Sequence, residues 1–343
     1  MDRHLAVRAV AVAAVVAAFA TIGVSPGFAA TVVCGQVITQ DTKVGNDLVN
    51  CPGDGLVIGA ANIKLDLGKH VIDGDGVNAA TDDGIDNTGG FDNVKIEHGT
   101  IQQFTQGIHL VGATKNKVDH VTVTQTLRGI EVQTASNENK IEHNKVSGNF
   151  DGIHLVGSDA NKIAHNDVFG NTASAIVLIT GSDNNNVEHN RAHDNATWGI
   201  TQDASNNNVY RHNKIYKNNT AGFEPFNSTG LRFEHNDLKQ NRIGIELFNT
   251  DASFVTDNKI QTSTLDGIHS FNGSTGNLFK KNHVDKNGAD GIHVLDAGNT
   301  IAKNHADKNV NLGIFAAAGN IDGGGNKAKK NGNAAQCVGV TCH

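Results

Sequence analysis

The sequence predicts an all-β protein, a parallel β-helix of about eleven coils with three short strands in each coil. The first observation behind this prediction is a Gly-Ile step, or a close equivalent, that recurs every 22–24 residues. The second is the wide spacing of the short apolar stretches between these steps. The eleven steps begin at Gly84, Gly107, Gly129, Gly152, Ala175, Gly199, Gly222, Gly244, Gly267, Gly291 and Gly313. Such a period is typical of solenoids, in which each coil buries its apolar residues only against its neighbours.

One repeat unit, residues 139–155, shows why the coil is built from strands. Its apolar residues Ile141, Val146, Ile153 and Leu155 are separated by Asn and Gly, and their spacing does not follow helical periodicity. Asn and Gly tolerate the turn and left-handed conformations that each bend requires. Coils stacked at the strand spacing of about 4.8 Å would pair every backbone edge and give a rod roughly 50 Å long.

Asn recurs at three positions of the repeat. Coils that stack in register would place each set in a ladder of side-chain amides. The first set is Asn139, Asn161, Asn185, Asn208, Asn277 and Asn299; the second is Asn144, Asn166, Asn190, Asn213, Asn236, Asn258, Asn282 and Asn304; the third is Asn149, Asn171, Asn195, Asn218, Asn241, Asn287 and Asn309.

The N-terminal residues 1–29 are predicted to be a signal peptide, because Arg3 and Arg8 precede an Ala/Val-rich run that ends in a small-x-small pattern. A membrane anchor is the alternative, but the apolar run is short for a bilayer span. We expect the mature chain to have no membrane span, to be monomeric, and to be secreted or held in the cell envelope. Its predicted parts are an N-terminal cap with entry coils (30–75), the β-helix (76–320) and a C-terminal cap (321–343).

The charge balance excludes one class of partner. The formal net charge is -7, and loss of Asp2, Arg3 and Arg8 with the signal moves it to -8. Nucleic-acid binding needs a basic surface, so we expect none. A polyanion is an awkward ligand as well, unless a cation bridges the two.

Four cysteines lie in pairs at the two ends of the chain. An even number in an exported protein predicts two local disulfides, each fixing a cap, within the pair Cys34 and Cys51 and within the pair Cys337 and Cys342. Free thiols and a metal site shared by both ends are the alternatives.

Five aspartates cluster where the repeat begins: Asp73, Asp75, Asp82, Asp83 and Asp86. Calcium is the cofactor that such a cluster suggests. Asp-Gly turn chemistry explains the same residues, and we favour it.

Several stretches resemble a known group of exported proteins. They are CGQVITQDT from Cys34, CPGDGLVIGA from Cys51, LDLGKHVIDG from Leu65, the coils themselves and the ending AQCVGVTC. In these features the mature chain is similar to secreted β-helix proteins of the pectate-lyase-like superfamily, in its NosD-like, parallel-β-helix-repeat group. The resemblance implies a right-handed, single-stranded β-helix. It implies no single activity, because lyases, hydrolases, epimerases, copper-site maturation factors and proteins without known chemistry share this fold.

The catalytic motifs of that superfamily are incomplete in this chain. Residues 249–251 (Asn-Thr-Asp) match the first element of the polygalacturonase pattern, but its Gly-His-Gly and Arg-Ile-Lys elements are absent. Alginate epimerases imply Asp-Pro-His, and residues 224–226 (Glu-Pro-Phe) have Phe in place of the expected acid/base His. If the protein is an enzyme, we expect lyase- or epimerase-like activity on a polysaccharide.

One side-chain column stands out as a candidate catalytic site. Residues that follow each Gly-Ile step by one position should point outward, because side chains alternate along a strand. In four successive coils these residues are Glu224, Glu246, His269 and His293, here called the Glu/His column. Two carboxylates and two imidazoles on one wall suit metal binding or proton transfer on a sugar. A solvated polar ladder without chemistry is the alternative.

An aromatic strip follows the Glu/His column two residues further along each coil. It consists of Phe226, Phe248 and Phe271, each followed by Asn, and Asn249 is the candidate sugar-binding amide. If the three rings face outward, they suit stacking on sugar faces. If the chain bends here, they fill a corner of the core instead.

A second histidine column is more regular. A His precedes the turn in seven consecutive coils: His98, His120, His143, His165, His189, His212 and His235. A catalytic centre needs a single local arrangement of different residues, whereas this column repeats the same residue in each of these coils. We therefore interpret the column as a stacking ladder, with a copper or zinc store as the alternative. Imidazoles about 5 Å apart repel when protonated, which predicts that stability falls as pH drops through about 6.5, unless flanking carboxylates offset the repulsion.

Three function classes follow from these observations. The first is an exported protein that binds, and as an enzyme would process, a polysaccharide or cell-envelope glycan along the Glu/His column. The second is a non-catalytic surface or structural β-helix protein. The third is a copper-handling factor like the NosD group, which the 17 histidines also suggest.

Overall fold

A computed structural model describes residues 29–77 and 82–343 of the chain. The described residues form a parallel β-solenoid and contain no helix. The predicted signal peptide lies outside the described residues, apart from Ala29. In the described ranges, no helix is long and apolar enough to cross a membrane.

The chain contains 38 short strands in the described ranges. They are β1 (Gln36–Ile38), β2 (Thr42–Lys43), β3 (Leu48–Cys51), β4 (Leu56–Ile58), β5 (Lys64–Asp66), β6 (Val71–Gly74), β7 (Asp83–Asn87), β8 (Lys95–Gln102), β9 (Gln106–Val111), β10 (Lys117–Thr124), β11 (Arg128–Gln133), β12 (Lys140–Glu142), β13 (Lys145–Ser147), β14 (Asp151–Val156), β15 (Lys162–Ala164), β16 (Asp167–Phe169), β17 (Ile176–Ile179), β18 (Asn186–Glu188) and β19 (Arg191–His193). The remainder are β20 (Trp198–Asp203), β21 (Val209–Arg211), β22 (Lys214–Tyr216), β23 (Ala221–Thr229), β24 (Arg232–Glu234), β25 (Asp237–Lys239), β26 (Ile243–Asp251), β27 (Phe254–Thr256), β28 (Lys259–Gln261), β29 (Ile268–Phe271), β30 (Leu278–Lys280), β31 (His283–Asp285), β32 (Ile292–Val294), β33 (Thr300–Ala302), β34 (His305–Asp307), β35 (Ile314–Ala316), β36 (Ile321–Asp322), β37 (Lys327–Lys329) and β38 (Cys337–Val338).

Three parallel sheets run along the solenoid. Sheet 1 contains the strands with the Gly-Ile step and has 14 members, in the order β1, β4, β7, β9, β11, β14, β17, β20, β23, β26, β29, β32, β35 and β38. Sheet 2 pairs strands such as β12, β15 and β18, and sheet 3 pairs strands such as β13, β16 and β19. The longer strands β8 and β10 contribute to both sheets 2 and 3.

The solenoid has about thirteen turns, slightly more than the eleven predicted. The strands of sheet 1 at Gln36–Ile38, Leu56–Ile58 and Cys337–Val338 lack the Gly-Ile step, so counting that step misses them. Close packing between successive coils explains why glycine occupies the first position of the step. A Cβ on Gly152 would lie 2.5 Å from the carbonyl oxygen of Ala175 in the next coil, closer than two such atoms can approach.

The predicted Asn ladders are present and buried. Asn144 Nδ2 donates hydrogen bonds to Asn166 Oδ1 and to Val118 O, both at 3.0 Å, and its backbone N donates to Asn166 Oδ1 at 2.9 Å. Asn166 makes the same contacts to Asn190. These amides satisfy backbone groups at bends that strand pairing does not reach. The ladders extend further than predicted, to Asn116, Asn326 and Asn331.

The predicted histidine ladder forms the corner between sheets 2 and 3. All seven residues have a left-handed φ between 55° and 58°, a conformation in which His is enriched among non-glycine residues. Successive ring centroids are 4.9–5.8 Å apart, and five of the six pairs are stacked. The rings are exposed to solvent.

Both predicted disulfides are present. Cys34 is bonded to Cys51 and Cys337 to Cys342, with Cα separations of 5.4 Å and 6.1 Å. The alternatives of free thiols and a shared metal site are therefore wrong. Between the two disulfides, one continuous apolar interior is filled by inward residues such as Ile130, which pairs with the equivalent residue of the next coil.

Candidate functional site

The outer face of sheet 1 carries the Glu/His column in the predicted register. Glu246 pairs with His269, and His269 pairs with His293, in adjacent strands. Glu224 lies one coil before Glu246, because Phe223 and Phe226 on either side of it pair with Ile245 and Phe248. The sequence period thus brings the four residues together, although their catalytic role stays a prediction.

Glu224 is buried, unlike a residue of a fully solvated ladder. Its side chain is 7% exposed, and Trp198 Nε1 from the preceding coil donates a hydrogen bond to Glu224 Oε2. Burial, and secondarily the neighbouring Glu246, raise the pKa of Glu224 to about 7. The Trp198 hydrogen bond and Arg242 act in the opposite direction. A carboxyl group with a pKa near neutrality can both donate and accept a proton at physiological pH.

The remaining members of the column form ion pairs. Glu246 Oε1 lies 3.4 Å from His269 Nδ1, and His293 Nδ1 lies 2.8 Å from Asp290 Oδ2. The hydrogen bond that the His293 imidazole donates to Asp290 raises the pKa of His293. Asp290 is 3% exposed, and the backbone N of Leu312 holds its other carboxylate oxygen at 2.8 Å.

The aromatic strip faces outward beside the Glu/His column. Phe226, Phe248 and Phe271 are partly exposed and lie outside the apolar core. The ring of Phe271 stacks on His269 with a centroid separation of 4.5 Å and an interplanar angle of 9°. Trp198 extends the strip, since its ring meets Phe226 edge-on at 6.2 Å. The alternative, in which these rings fill a corner of the core, is wrong.

Asn249 lies at the exposed end of this face. It has a left-handed φ of 44°, and its Nδ2 donates to Asn227 Oδ1 at 2.8 Å. Asn227 in turn donates to Asp203 Oδ1 at 2.8 Å. Asn249 therefore belongs to a short exposed amide ladder at a turn, and its contact with a sugar stays a prediction.

The N-terminal half of the same face carries a second set of paired groups. His109 Nδ1 lies 2.8 Å from Asp83 Oδ2, and His154 Nδ1 lies 3.3 Å from Glu131 Oε1. Burial raises the pKa of Asp83 to about 6. Asp83 and Asp82 are 4% and 3% exposed, so these two aspartates are not simple surface turn residues.

Three groups among the described residues place three potential metal-ligand atoms within 4.8 Å of one another. They are Asp66 with Glu97 and His98, Asp119 with His120 and His143, and Asp266 with Asp290 and His293. The first two lie along the histidine ladder and the third adjoins the Glu/His column. The aspartate cluster for which calcium was considered contributes to none of the three. Asp86 instead accepts a turn hydrogen bond from Thr88 N at 2.7 Å.

Sequence reasoning missed Trp198, Asp266 and Asp290, which all contact or adjoin the column. Each stands directly before the Gly of a Gly-Ile step, and this position reaches the outward residue of its own or the next coil. The available signal was the polar or aromatic residue that recurs there, at Asp83, Gln106, Arg128, Asp151, Trp198, Asp266 and Asp290.

Comparison with known families identifies two matching models. The model described as "Periplasmic copper-binding protein (NosD)" matches residues 68–243, slightly more than half of the 343 residues. The model described as "Right handed beta helix region" matches residues 193–335. None of the curated proteins matches this sequence.

Solved structures with the same fold include epimerases and a tailspike protein. The mannuronan C-5 epimerase AlgE6 A-module of Azotobacter vinelandii has a TM-score of 0.59 and 15% identity, covering 79% of this chain and 90% of that chain. A double mutant of the periplasmic alginate epimerase AlgG has a TM-score of 0.53 and 17% identity, covering 77% and 70%. The Dettilon tailspike protein has a TM-score of 0.53 and 16% identity, covering 90% and 60%. At these identities the likeness concerns the fold.

The family match, the right-handed coil and the stacked repeats agree with one another. The chain belongs to the NosD family and is a right-handed parallel β-helix protein.

Proposed function

We propose that this protein binds a polysaccharide along the outer face of sheet 1. The observation that carries the proposal is the continuous surface formed by the Glu/His column and the aromatic strip in successive coils. Aromatic rings offer apolar faces to the C–H faces of sugars, while carboxylates and imidazoles accept and donate hydrogen bonds to hydroxyl groups. Structures of the same fold whose names describe epimerases of mannuronan and alginate support a carbohydrate ligand.

The charge of this surface favours a neutral polysaccharide. Glu224, Glu246, Asp266 and Asp290 lie on or beside it, and Arg242 is the cation that acts on Glu224. A polyuronate would meet like charges on a partly buried surface, where repulsion is stronger than in water. Neutral sugar hydroxyls can donate hydrogen bonds to these carboxylates without that cost.

Glu224 is the residue suited to chemistry on a bound sugar. Its pKa of about 7 and its position next to the Glu246 and His269 pair fit a group that transfers protons. A processing activity at this site would therefore depend on the Glu224 carboxyl group, whose proton affinity is raised by burial and by Glu246 and lowered by Trp198.

An oligosaccharide array of neutral and acidic glycans, with and without calcium or copper, tests this proposal. We expect binding to neutral glycans, and we expect Phe248→Ala to weaken it about tenfold. Phe254→Ala is the matched control, because Phe254 is an exposed ring on sheet 2 that lies away from the column. Equal loss in both variants, or binding confined to acidic glycans, would contradict the proposal.

The proposed setting is outside the cytoplasm. The disulfides fit an oxidising compartment, and the family description and the AlgG neighbour are both periplasmic by name. We place the mature protein there or on the cell surface, as a monomer that contacts cell-envelope or extracellular glycan.

Copper handling is the second candidate function, and the family description favours it. The chain offers fitting ligands, because His120 Nδ1 and His143 Nδ1 both lie 3.1 Å from Asp119 Oδ1, and imidazole suits copper. Substitution of His120 and His143 by Ala should remove one Cu(II) site, as followed by electron paramagnetic resonance. His212→Ala with His235→Ala is the control, since these ladder residues have no comparable carboxylate contact among the described residues. Equal binding by both double variants would reject a site at Asp119.

A further inference from the structure

The outer face of sheet 3 carries an aromatic column separate from the surface on sheet 1. Phe169, His193 and Tyr216 occupy equivalent positions in three successive coils. Their rings stack with centroid separations of 5.0 Å and 4.5 Å and interplanar angles of 3° and 4°. Each ring therefore covers one face of the next.

The stack is held in place by polar contacts around it. His193 Nδ1 lies 2.6 Å from Asp194 Oδ2, and its Nε2 lies 3.0 Å from Asp167 Oδ1. Arg191 Nη2 donates to the Tyr216 hydroxyl oxygen at 3.0 Å. A ligand that contacts Tyr216 would thus meet a ring that is already oriented, which lowers the entropic cost of binding.

The stack ends at Tyr216, and a cleft opens there. The residue paired with Tyr216 in the next coil is Lys239, which is not aromatic. Because His193 covers one face of the phenol ring, the other face is turned toward the coil of Lys239. A cleft of about 260 Å³ lies at this point, lined by Lys214, Tyr216, Asp237, Lys239 and Gln240.

The charged groups of the cleft are not fully paired with one another. Lys239 Nζ lies 2.9 Å from Asp237 Oδ2, while Asp237 Oδ1 is buried and has no hydrogen-bond partner. Lys214 is exposed and forms no salt bridge with a described residue. Two ammonium groups thus face one carboxylate in a chain whose net charge is -7. The cleft combines an aromatic face, an excess positive charge and the amide of Gln240.

We propose that this cleft binds a uronate residue of an acidic polysaccharide. The sugar ring stacks on the open face of Tyr216, its carboxylate pairs with Lys214 and Lys239, and a hydroxyl group bonds to the side-chain amide of Gln240. A neutral sugar would leave the ammonium groups without an anion, and an inorganic anion would leave the aromatic face unused. The site lies on a different face from the neutral-glycan surface and does not depend on that proposal.

Isothermal titration of the full mature chain tests the proposal, with a galacturonate trisaccharide and the neutral galactose trisaccharide as probes. We expect the acidic trisaccharide to bind more tightly, and we expect added salt to weaken it. Lys214→Met and Tyr216→Leu should each reduce its affinity about tenfold. Lys145→Met is the matched control, because Lys145 Nζ lies 5.5 Å from the Phe169 ring at the other end of the same stack.

Three results would overturn the proposal: an equal loss of affinity for both trisaccharides in Lys214→Met, an equal loss for the acidic probe in the control variant, or no binding of the acidic probe by the wild-type chain. Thermal melting of each variant checks folding. Lys214→Met removes an exposed ammonium group without disturbing the stack, so its result remains decisive if Tyr216→Leu unfolds.

Discussion

Trp198 Nε1 donates a hydrogen bond to Glu224 Oε2 across two adjacent coils of sheet 1. Trp198 stands before the Gly-Ile step of its coil, and Glu224 stands after the equivalent step of the next coil. The contact between them therefore depends on the register in which the coils stack. The hydrogen bond stabilises the ionised form of a carboxyl group whose pKa burial raises to about 7. Burial therefore sets the raised pKa of Glu224, and a residue of the neighbouring coil lowers it in part.

Trp198→Phe should raise the pKa of Glu224 further. Phenylalanine keeps an aromatic ring at this position but cannot donate a hydrogen bond to the carboxylate. A carboxyl-carbon NMR titration of the variant and the wild-type chain measures the change. Thr201→Val is the control, because the Thr201 hydroxyl bonds to the Glu224 backbone oxygen at 2.9 Å rather than to the carboxylate. An identical Glu224 titration in wild type and Trp198→Phe would show that the indole does not act on this group.

Glu224→Gln should become stabilising as pH rises. The folded-state pKa of about 7 lies above the ordinary glutamate pKa of 4.5, so Glu224 binds its proton more tightly in the folded chain. Wild-type stability is then fully present below about pH 4.5 and is lost as pH rises through about 7. Relative to wild type, the variant should gain about 1–3 kcal/mol in unfolding free energy between pH 4 and pH 8, with allowance for solvent screening. Denaturant unfolding at both pH values measures this, and a difference that does not change with pH would refute it.

The histidine ladder should make the chain less stable in acid. Burial, and then the neighbours His212 and His165, lower the pKa of His189, while Glu188 opposes them. For a lowered His pKa, stability is present above the unfolded value near 6.5 and is lost as pH falls. His189→Asn should therefore reduce the drop in melting temperature between pH 8 and pH 5 by about 1–2 °C.

His343→Asn, at the exposed C-terminus, is the control for that experiment. The groups His109 and His293, whose pKa values are raised, are present in all of these variants, so their opposite contributions cancel in the comparison. A melting temperature of the wild-type chain that stays flat from pH 8 to pH 5 would count against repulsion within the ladder.

Loss of one side-chain amide from an Asn ladder should destabilise the folded chain. Asn190 Oδ1 accepts from Asn166 N at 2.9 Å, and Asn190 Nδ2 donates to Ile163 O at 2.8 Å, all in the buried interior. Asn190→Leu leaves these backbone groups unpaired, which should reduce unfolding free energy by about 2–4 kcal/mol. Asn219→Ala, an exposed Asn in a neighbouring coil, should change it by less than about 0.5 kcal/mol. Similar denaturation curves for the two variants would contradict the structural role of the ladder.

The sequence allowed the coil, its register and its ladders to be predicted, because a fixed period places equivalent residues above one another. The pairing of Glu131 with His154 and with His109 follows from that period alone. The ladder of Asn144 and Asn166 follows from it as well, since both residues stand at one position of the repeat.

The surroundings of the candidate site could not be predicted in the same way. The residue before each Gly is often polar or aromatic, but its identity varies from Asp to Trp to Leu. The repeat therefore marks the position without specifying that Trp198 would reach Glu224 or that Asp290 would pair with His293. Burial of Glu224 depends on the size and placement of the side chains that surround it in the folded chain. The terminal coils were undercounted for a related reason, because Leu56–Ile58 packs in sheet 1 without the Gly-Ile step.

The most direct test of the proposed function is the affinity of the double variant Glu224→Gln with Glu246→Gln for the neutral oligosaccharide that binds best to the wild-type chain. Loss of these carboxylate acceptors should weaken binding at least about tenfold while melting remains cooperative. Glu188→Gln with Glu234→Gln, two acidic residues of sheet 2, should leave the affinity unchanged. An unchanged affinity in the Glu224 and Glu246 variant would contradict the claim that the Glu/His column binds the polysaccharide.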